Sequence, residues 1–281
     1  MREHDHNDGL MLPPWHVREY DLAEYMTASV NEPPHRKNAN HDEHETQTGN
    51  GYWDDKWRGG TLEEAKTFKT WEKGREYLAA IDLGDVAMPE LATTKRVRRW
   101  SDDGDEYSRD RFDAGYNECW QTRKRSRVRR GGGTLRITVE LGADWTHKAE
   151  ELIWSGVAAL KLADTLEDAG YRVQIDVTVS NCRLNKRRKG TLPYRMVDVI
   201  RVKDHSDPVN IDALLLAVAC PLFFRFHAFA SKLRRPVRVS DRLGLSSVTP
   251  TGLQGDIHIN RVFNRHDAER VARDDVAKLV N

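Results

Sequence analysis

Cysteine is scarce in this sequence: 281 residues include only Cys119, Cys182 and Cys220. They lie too far apart for Cys-x-x-Cys metal or redox chemistry, and an odd number closes no disulfide framework, so a reducing compartment is expected. Long apolar runs are scarce as well. The longest, Leu214 to Phe224, is too short to cross a bilayer and is followed by Arg225 and His227, which predicts a buried helix. The opening residues, Met1-Arg2-Glu3-His4-Asp5-His6, lack the apolar segment of a signal peptide, so a cytoplasmic protein is expected. Net charge is nearly absent, since 45 Lys and Arg stand against 44 Asp and Glu. Any affinity for nucleic acid or an anionic membrane must then come from local patches. Neither a Gly-x-Ser-x-Gly elbow nor a Gly-x-x-x-x-Gly-Lys phosphate loop is present. The triplet Gly131-Gly132-Gly133 precedes a predicted strand and reads as a hinge. No enzyme and no cofactor are expected.

A 38% hydrophobic content is enough for a real core. Residues 1–56 hold six of the eleven histidines and the pairs Pro13-Pro14 and Pro33-Pro34, a composition that predicts an extended or disordered arm. Residues 57–130 read as a helical and then basic, irregular region. There Thr61-Leu62-Glu63-Glu64 has the spacing of a capping box, and helices are expected to Lys73 and over Arg75 to Asp82. The domain boundary is expected at the triple glycine.

Residues 134–281 carry the clearest patterning. Leu135, Ile137 and Val139 alternate with Arg136, Thr138 and Glu140, as in a strand. Ala149, Leu152, Ile153, Gly156, Val157, Leu160, Ala163 and Leu166 recur at helical spacing, and Gly170 supplies a left-handed stop. Tyr171 to Val179 and Met196 to Val202 predict two further strands. Ile211 to Leu233 predicts a helix broken near Pro221. Ile257, Ile259 and Val262 mark a last strand, and Asn264 an N-cap for a closing helix to Val280. Leu152, Ile153, Leu160, Ile175, Val177, Leu215 and Phe223 are the expected core.

The strand, the helix ending in Asp168-Ala169-Gly170-Tyr171 and the next strand, over Thr134 to Val179, resemble the opening of a von Willebrand factor A-like domain. Trp57-Arg58-Gly59-Gly60-Thr61-Leu62-Glu63-Glu64-Ala65, with Ala158-Ala159-Leu160 and Leu162-Ala163-Asp164, resembles an uncharacterised family of such proteins from phages and mobile elements. The resemblance implies a Rossmann-type sheet flanked by helices, a location in the host cytoplasm and binding to another protein, with an AAA+ ATPase of the MoxR type as one partner class. It also implies a magnesium site of the form Asp-x-Ser-x-Ser. The matching stretch here is Glu140-Leu141-Gly142-Ala143-Asp144, with both serines gone. Glu140 and Asp144 are the remaining candidate ligands, but a hard cation needs more oxygens than they offer, so a degenerate site is expected. Alternating strands also fit an alternative fold, a two-layer α/β sandwich with one exposed sheet face.

A second function class rests on basic residues. Arg123, Lys124, Arg125, Arg127, Arg129 and Arg130 form one cluster, Lys186, Arg187, Arg188 and Lys189 another, and Lys95-Arg96 and Arg98-Arg99 lie upstream. Such clusters bind phosphate backbones by releasing counterions, and the nearby Trp100, Tyr107, Tyr116 and Trp120 offer stacking surfaces for unpaired bases. The competing reading pairs them with Asp102, Asp103, Asp105 and Glu106. His4, His6 and Asp8, and His41 to His44, have zinc-like spacing but no expected rigid support. The leading expectation is a non-enzymatic interaction or assembly module. The alternative is a single-stranded DNA- or RNA-binding accessory factor acting through residues 95–130.

Overall fold

The computed structural model describes residues 1–7, 14–31, 55–67, 70–84, 92–104, 106–129, 133–142, 146–183, 194–208, 210–235 and 248–280. In chain order the elements are β1 (Arg2–His6), β2 (Trp15–Asp21), α1 (Leu22–Asn31), α2 (Asp55–Arg58), α3 (Leu62–Thr67) and α4 (Gly74–Ala80), then β3 (Ala92–Ser101), β4 (Glu106–Tyr107), α5 (Arg109–Asp113) and β5 (Trp120–Arg129). After these come β6 (Thr134–Glu140), α6 (Ile153–Asp168), β7 (Arg172–Arg183), β8 (Tyr194–Lys203), α7 (Ile211–Ala219), α8 (Pro221–Leu233), β9 (Ile257–Ile259) and α9 (Arg265–Val280). Two compact units result, one of residues 1–87 with 133–281 and one of residues 88–132. One boundary falls within the triple glycine. The other falls near residue 87 and not at residue 56.

The larger unit is a mixed α/β structure around a six-stranded sheet of order β1-β2-β8-β7-β6-β9. β6 runs parallel to β7 and β9, β7 is antiparallel to β8, and β2 is parallel to β8. Ile137, Val139, Ile175, Val177 and Ile200 are buried on the face covered by helices, and so are the other expected core residues. This is consistent with a two-layer α/β sandwich.

The helix ends follow local chemistry. Thr61 N–H donates to Glu64 Oε2 at 2.7 Å and Glu64 N–H to Thr61 Oγ1 at 3.2 Å, the reciprocal capping box. Gly170, at φ +94°, ends α6, with Tyr171 N–H donating to Leu166 O at 3.0 Å. Asn264 Oδ1 accepts from Asp267 N–H at 2.9 Å to start α9. Between α7 and α8 the chain bends by 53° before Pro221. No single helix in the described residues is long and apolar enough to cross a membrane.

Two expectations are corrected here. First, residues 2–6 and 15–31 of the expected 1–56 arm form β1, β2 and α1 of the larger unit, while residues 8–13 and 32–54 lie outside the described residues. Secondly, the polar alternation of the strands does not mark a wholly bare sheet face. Thr138, Glu140, Thr178 and Ser180 are all buried. The chain around residues 249–255 lies over them: Thr249 N–H donates to Glu140, Thr249 Oγ1 meets Thr178 Oγ1 at 2.8 Å, and Gly255 N–H donates to Thr138 Oγ1 at 3.0 Å. Leu253 completes an apolar cluster with Trp15, Val17, Val197 and Val199 on the same face.

Candidate nucleic-acid interface

The smaller unit is a three-stranded sheet of order β3-β5-β4. The sequence reads as irregular there, yet β3 and β5 pair antiparallel from Ala92↔Arg129 to Ser101↔Trp120. These ten rungs span about 30 Å. The two strands hold nine Lys or Arg and no Asp or Glu.

Register divides these charges by face, because side chains alternate along a strand. Arg123, Arg125, Arg127 and Arg129 share one face with Arg96 and Arg98, and Arg96↔Arg125 and Arg98↔Arg123 are direct cross-strand partners. Lys95, Arg99 and Lys124 fall at register positions of the other face, as do Thr93, Val97, Thr122, Ser126 and Val128. Like charges directly opposite one another destabilise a strand pair, so this register concentrates repulsion on one face. The acidic residues Asp102, Asp103 and Glu106 lie beyond the Ser101↔Trp120 rung, at the tip. Arg127 and Arg129 stand seven and nine rungs away from it, about 23 and 30 Å along the ribbon.

The arginine face continues at the tip into stacked rings. Trp100 pairs in register with Gln121, on the same face as Arg123. The Arg111 guanidinium lies 4.4 Å from the centroid of Trp100 and 4.3 Å from that of Tyr116, a cation–π sandwich. Tyr107 and Trp120 pack at a tilt on the other face with centroids 5.0 Å apart, and Phe112 adjoins Tyr107. Phe112, Tyr116, Tyr107 and Trp120 are 62%, 55%, 47% and 37% exposed. Clustered exposed aromatics mark an interaction surface. Cys119 is buried beneath them, its Sγ 2.7 Å from Tyr116 O. Sequence reading named four of these aromatics but missed Arg111 and Phe112, whose roles depend on how α5 folds back.

Arg130, Asp144, Lys186, Arg187, Arg188 and Lys189 lie outside the described residues, as do Asp8 and His41 to His44. His4 and His6 are on β1, paired with Val17 and Trp15. No group of three His, Cys, Asp or Glu side chains converges to hold a metal among the described residues.

Glu140, last in β6, is fully buried. Its Oε1 is 3.1 Å from Arg261 Nη2 and accepts from Ser180 Oγ at 3.4 Å, while Oε2 accepts from Thr249 N–H at 3.1 Å. Burial raises its carboxyl pKa, opposed by the Arg261 charge and the Thr249 N–H. His258 Nε2 is 3.8 Å from Oε2, and burial lowers the imidazole pKa, which favours its neutral form. These groups do not fit a hard cation: one carboxylate faces a guanidinium where oxygen ligands would have to converge. Nothing in the sequence links Arg261 or Thr249 to Glu140, because both contacts span more than a hundred residues.

Comparison with known proteins yields one match. No curated protein and no solved structure matches the chain. A family model described as a domain of unknown function, DUF7192, matches residues 16–279, nearly the whole sequence, and the chain therefore belongs to the DUF7192 family.

Proposed function

We propose that this protein binds single-stranded nucleic acid through the 88–132 unit. The observation that carries the reading is the register of β3 with β5, which gathers Arg96, Arg98, Arg123, Arg125, Arg127 and Arg129 on one face. Residues on one face of a strand repeat about every 7 Å, a ladder suited to the phosphates of an extended strand. The Trp100, Arg111 and Tyr116 stack continues that face with an exposed ring on which an unpaired base stacks. A duplex hides its base faces and would use only the charges.

Anisotropy titrations with labelled oligothymidine and a duplex of equal length, at rising salt, test this. The wild type is expected to prefer the single strand and to weaken steeply with salt. Replacing Arg123, Arg125, Arg127 and Arg129 together by Gln should flatten the log–log slope by up to about 3, since each single-strand phosphate contact contributes about 0.7. Replacing Lys95, Arg99 and Lys124 by Gln should flatten it less. Equal losses from the two faces, or no retention of wild type at low salt, would refute the reading.

A second reading draws support from the Glu140 cluster. In it the larger unit is a von Willebrand factor A-like assembly module of mobile-element origin that works without a metal, with an AAA+ ATPase as partner class. Arg261 then stands in for the lost cation beside Glu140. The same titrations discriminate, because this reading expects the ribbon substitutions to leave nucleic-acid retention unchanged.

A further inference from the structure

In the larger unit, the sheet face that bears the 249–255 segment is left open at one end. A trough of about 510 Å³ lies there, at the N-terminal ends of β6 and β7, within the size range of small-molecule sites. It is lined by Asp176, Arg136 and Arg201 and, one strand further along the sheet, by Glu19 and Asp21 of β2, Asp21 being the ladder partner of Arg201; Met1, Arg2 and Glu24 complete the charged lining.

Asp176 is 1% exposed, yet its carboxylate is only half used. Oδ2 accepts from Arg136 Nε at 2.6 Å and from Gln174 Nε2 at 2.9 Å. Oδ1 has no hydrogen-bond partner, and Arg201 Nε stays 3.6 Å away. A buried carboxylate oxygen left without a donor is costly, so the vacancy asks for a donor from a ligand. Arg136 and Arg201 both turn Nε toward Asp176, and their side chains remain 34% and 52% exposed. The floor thus presents one free acceptor between two guanidinium forks. A plain anion would satisfy the forks, leave Oδ1 bare and face the carboxylates of Glu19 and Asp21. A plain cation would satisfy Oδ1 and meet the guanidiniums.

A group that carries a donor and a carboxylate on one carbon satisfies all three. We propose that the trough binds a basic α-amino acid. Its ammonium donates to Asp176 Oδ1, its carboxylate accepts from Arg136 and Arg201, and its cationic side chain extends to Glu19 and Asp21. Charge-assisted pairs of this kind are the strong ones. The site is separate from the 88–132 unit, and its failure would leave the nucleic-acid reading untouched.

Calorimetry on the full chain with L-lysine, L-glutamate, acetate and ethylamine tests the assignment. L-lysine should bind at millimolar concentrations or below, and the other three about tenfold more weakly or worse. Arg201→Gln, at a half-exposed position that the fold tolerates, should lose about tenfold in L-lysine affinity, while Asp176→Asn should abolish it. Should Asp176→Asn fail to fold, the Arg201 variant still decides. Binding of acetate, ethylamine or L-glutamate as tight as that of L-lysine, no heat with L-lysine, or an Arg201→Gln variant that binds L-lysine like wild type would overturn the proposal.

Discussion

At the scale of single residues, Glu140 is a buried charge that faces the guanidinium of Arg261. Burial favours the neutral form of its neighbour His258, so among the described residues Arg261 is the main countercharge to the carboxylate. Removing one member of a buried ion pair strands the other, which costs about 3–5 kcal/mol; Arg261 is a quarter exposed, so Arg261→Met belongs at the low end, about 3 kcal/mol. The sign of the pH dependence follows from linkage. A carboxyl whose folded pKa is raised contributes stability that is fully present below the unfolded pKa and is lost as pH rises through the folded one. Without Arg261 the folded pKa rises further. The gap in unfolding free energy between wild type and Arg261→Met should therefore be widest at neutral pH and narrow as pH falls toward the ordinary carboxyl range. Urea titrations at neutral and mildly acidic pH measure both quantities, and a gap that widens in acid would show that Arg261 does not serve Glu140.

At the scale of elements, Gly156 decides how closely α6 and α7 approach. A Cβ added there would sit 1.9 Å from Val218 O, a backbone atom that cannot rotate away. In an isolated helix Gly→Ala is favourable by about 1 kcal/mol, but here the clash dominates. Gly156→Ala should destabilise by about 2 kcal/mol and lower Tm by roughly 4–8 °C, measured by thermal denaturation. An unchanged or higher Tm would mean that the helices are not so tightly apposed. The same elements tell what was legible in the sequence. Helix ends at Thr61, Gly170, Pro221 and Asn264 were readable because capping and proline geometry act within a few residues. β2 was not, since Trp15–Asp21 becomes a strand by pairing with Arg195–Arg201, far along the chain. β3 and β5 carry polar residues on both faces and so lack the hydrophobic alternation by which strands are recognised. Of the candidate site, the basic cluster was visible as composition, but which arginines share a face is a property of register. Thr138, Glu140, Thr178 and Ser180 looked like a solvent face because the segment that covers them forms no strand or long helix.

At the scale of the whole molecule, a net charge of +1 conceals segregation: the long strands of the smaller unit are basic throughout, and compensating acids lie elsewhere. The smaller unit is also an insertion, entered near residue 87 and left near residue 133. Among the residues whose burial is described, the buried apolar side chains other than that of Cys119 belong to the larger unit, which builds its core from its own residues. Replacing residues 88–132 by a short Gly-Ser linker changes only a loop, and loop length enters stability weakly, at about 0.6 kcal/mol per doubling. The shortened chain is expected to unfold in one cooperative transition with a Tm within a few degrees of the full protein, while losing affinity for single-stranded nucleic acid. L-lysine binding at Asp176 should persist, because Arg136, Asp176 and Arg201 all lie in the retained unit. Circular dichroism, anisotropy and calorimetry on one preparation read the three outcomes together. Retained nucleic-acid affinity would move the interface to the larger unit, and a chain that no longer folds cooperatively would show that the ribbon is a structural part of the larger unit's core.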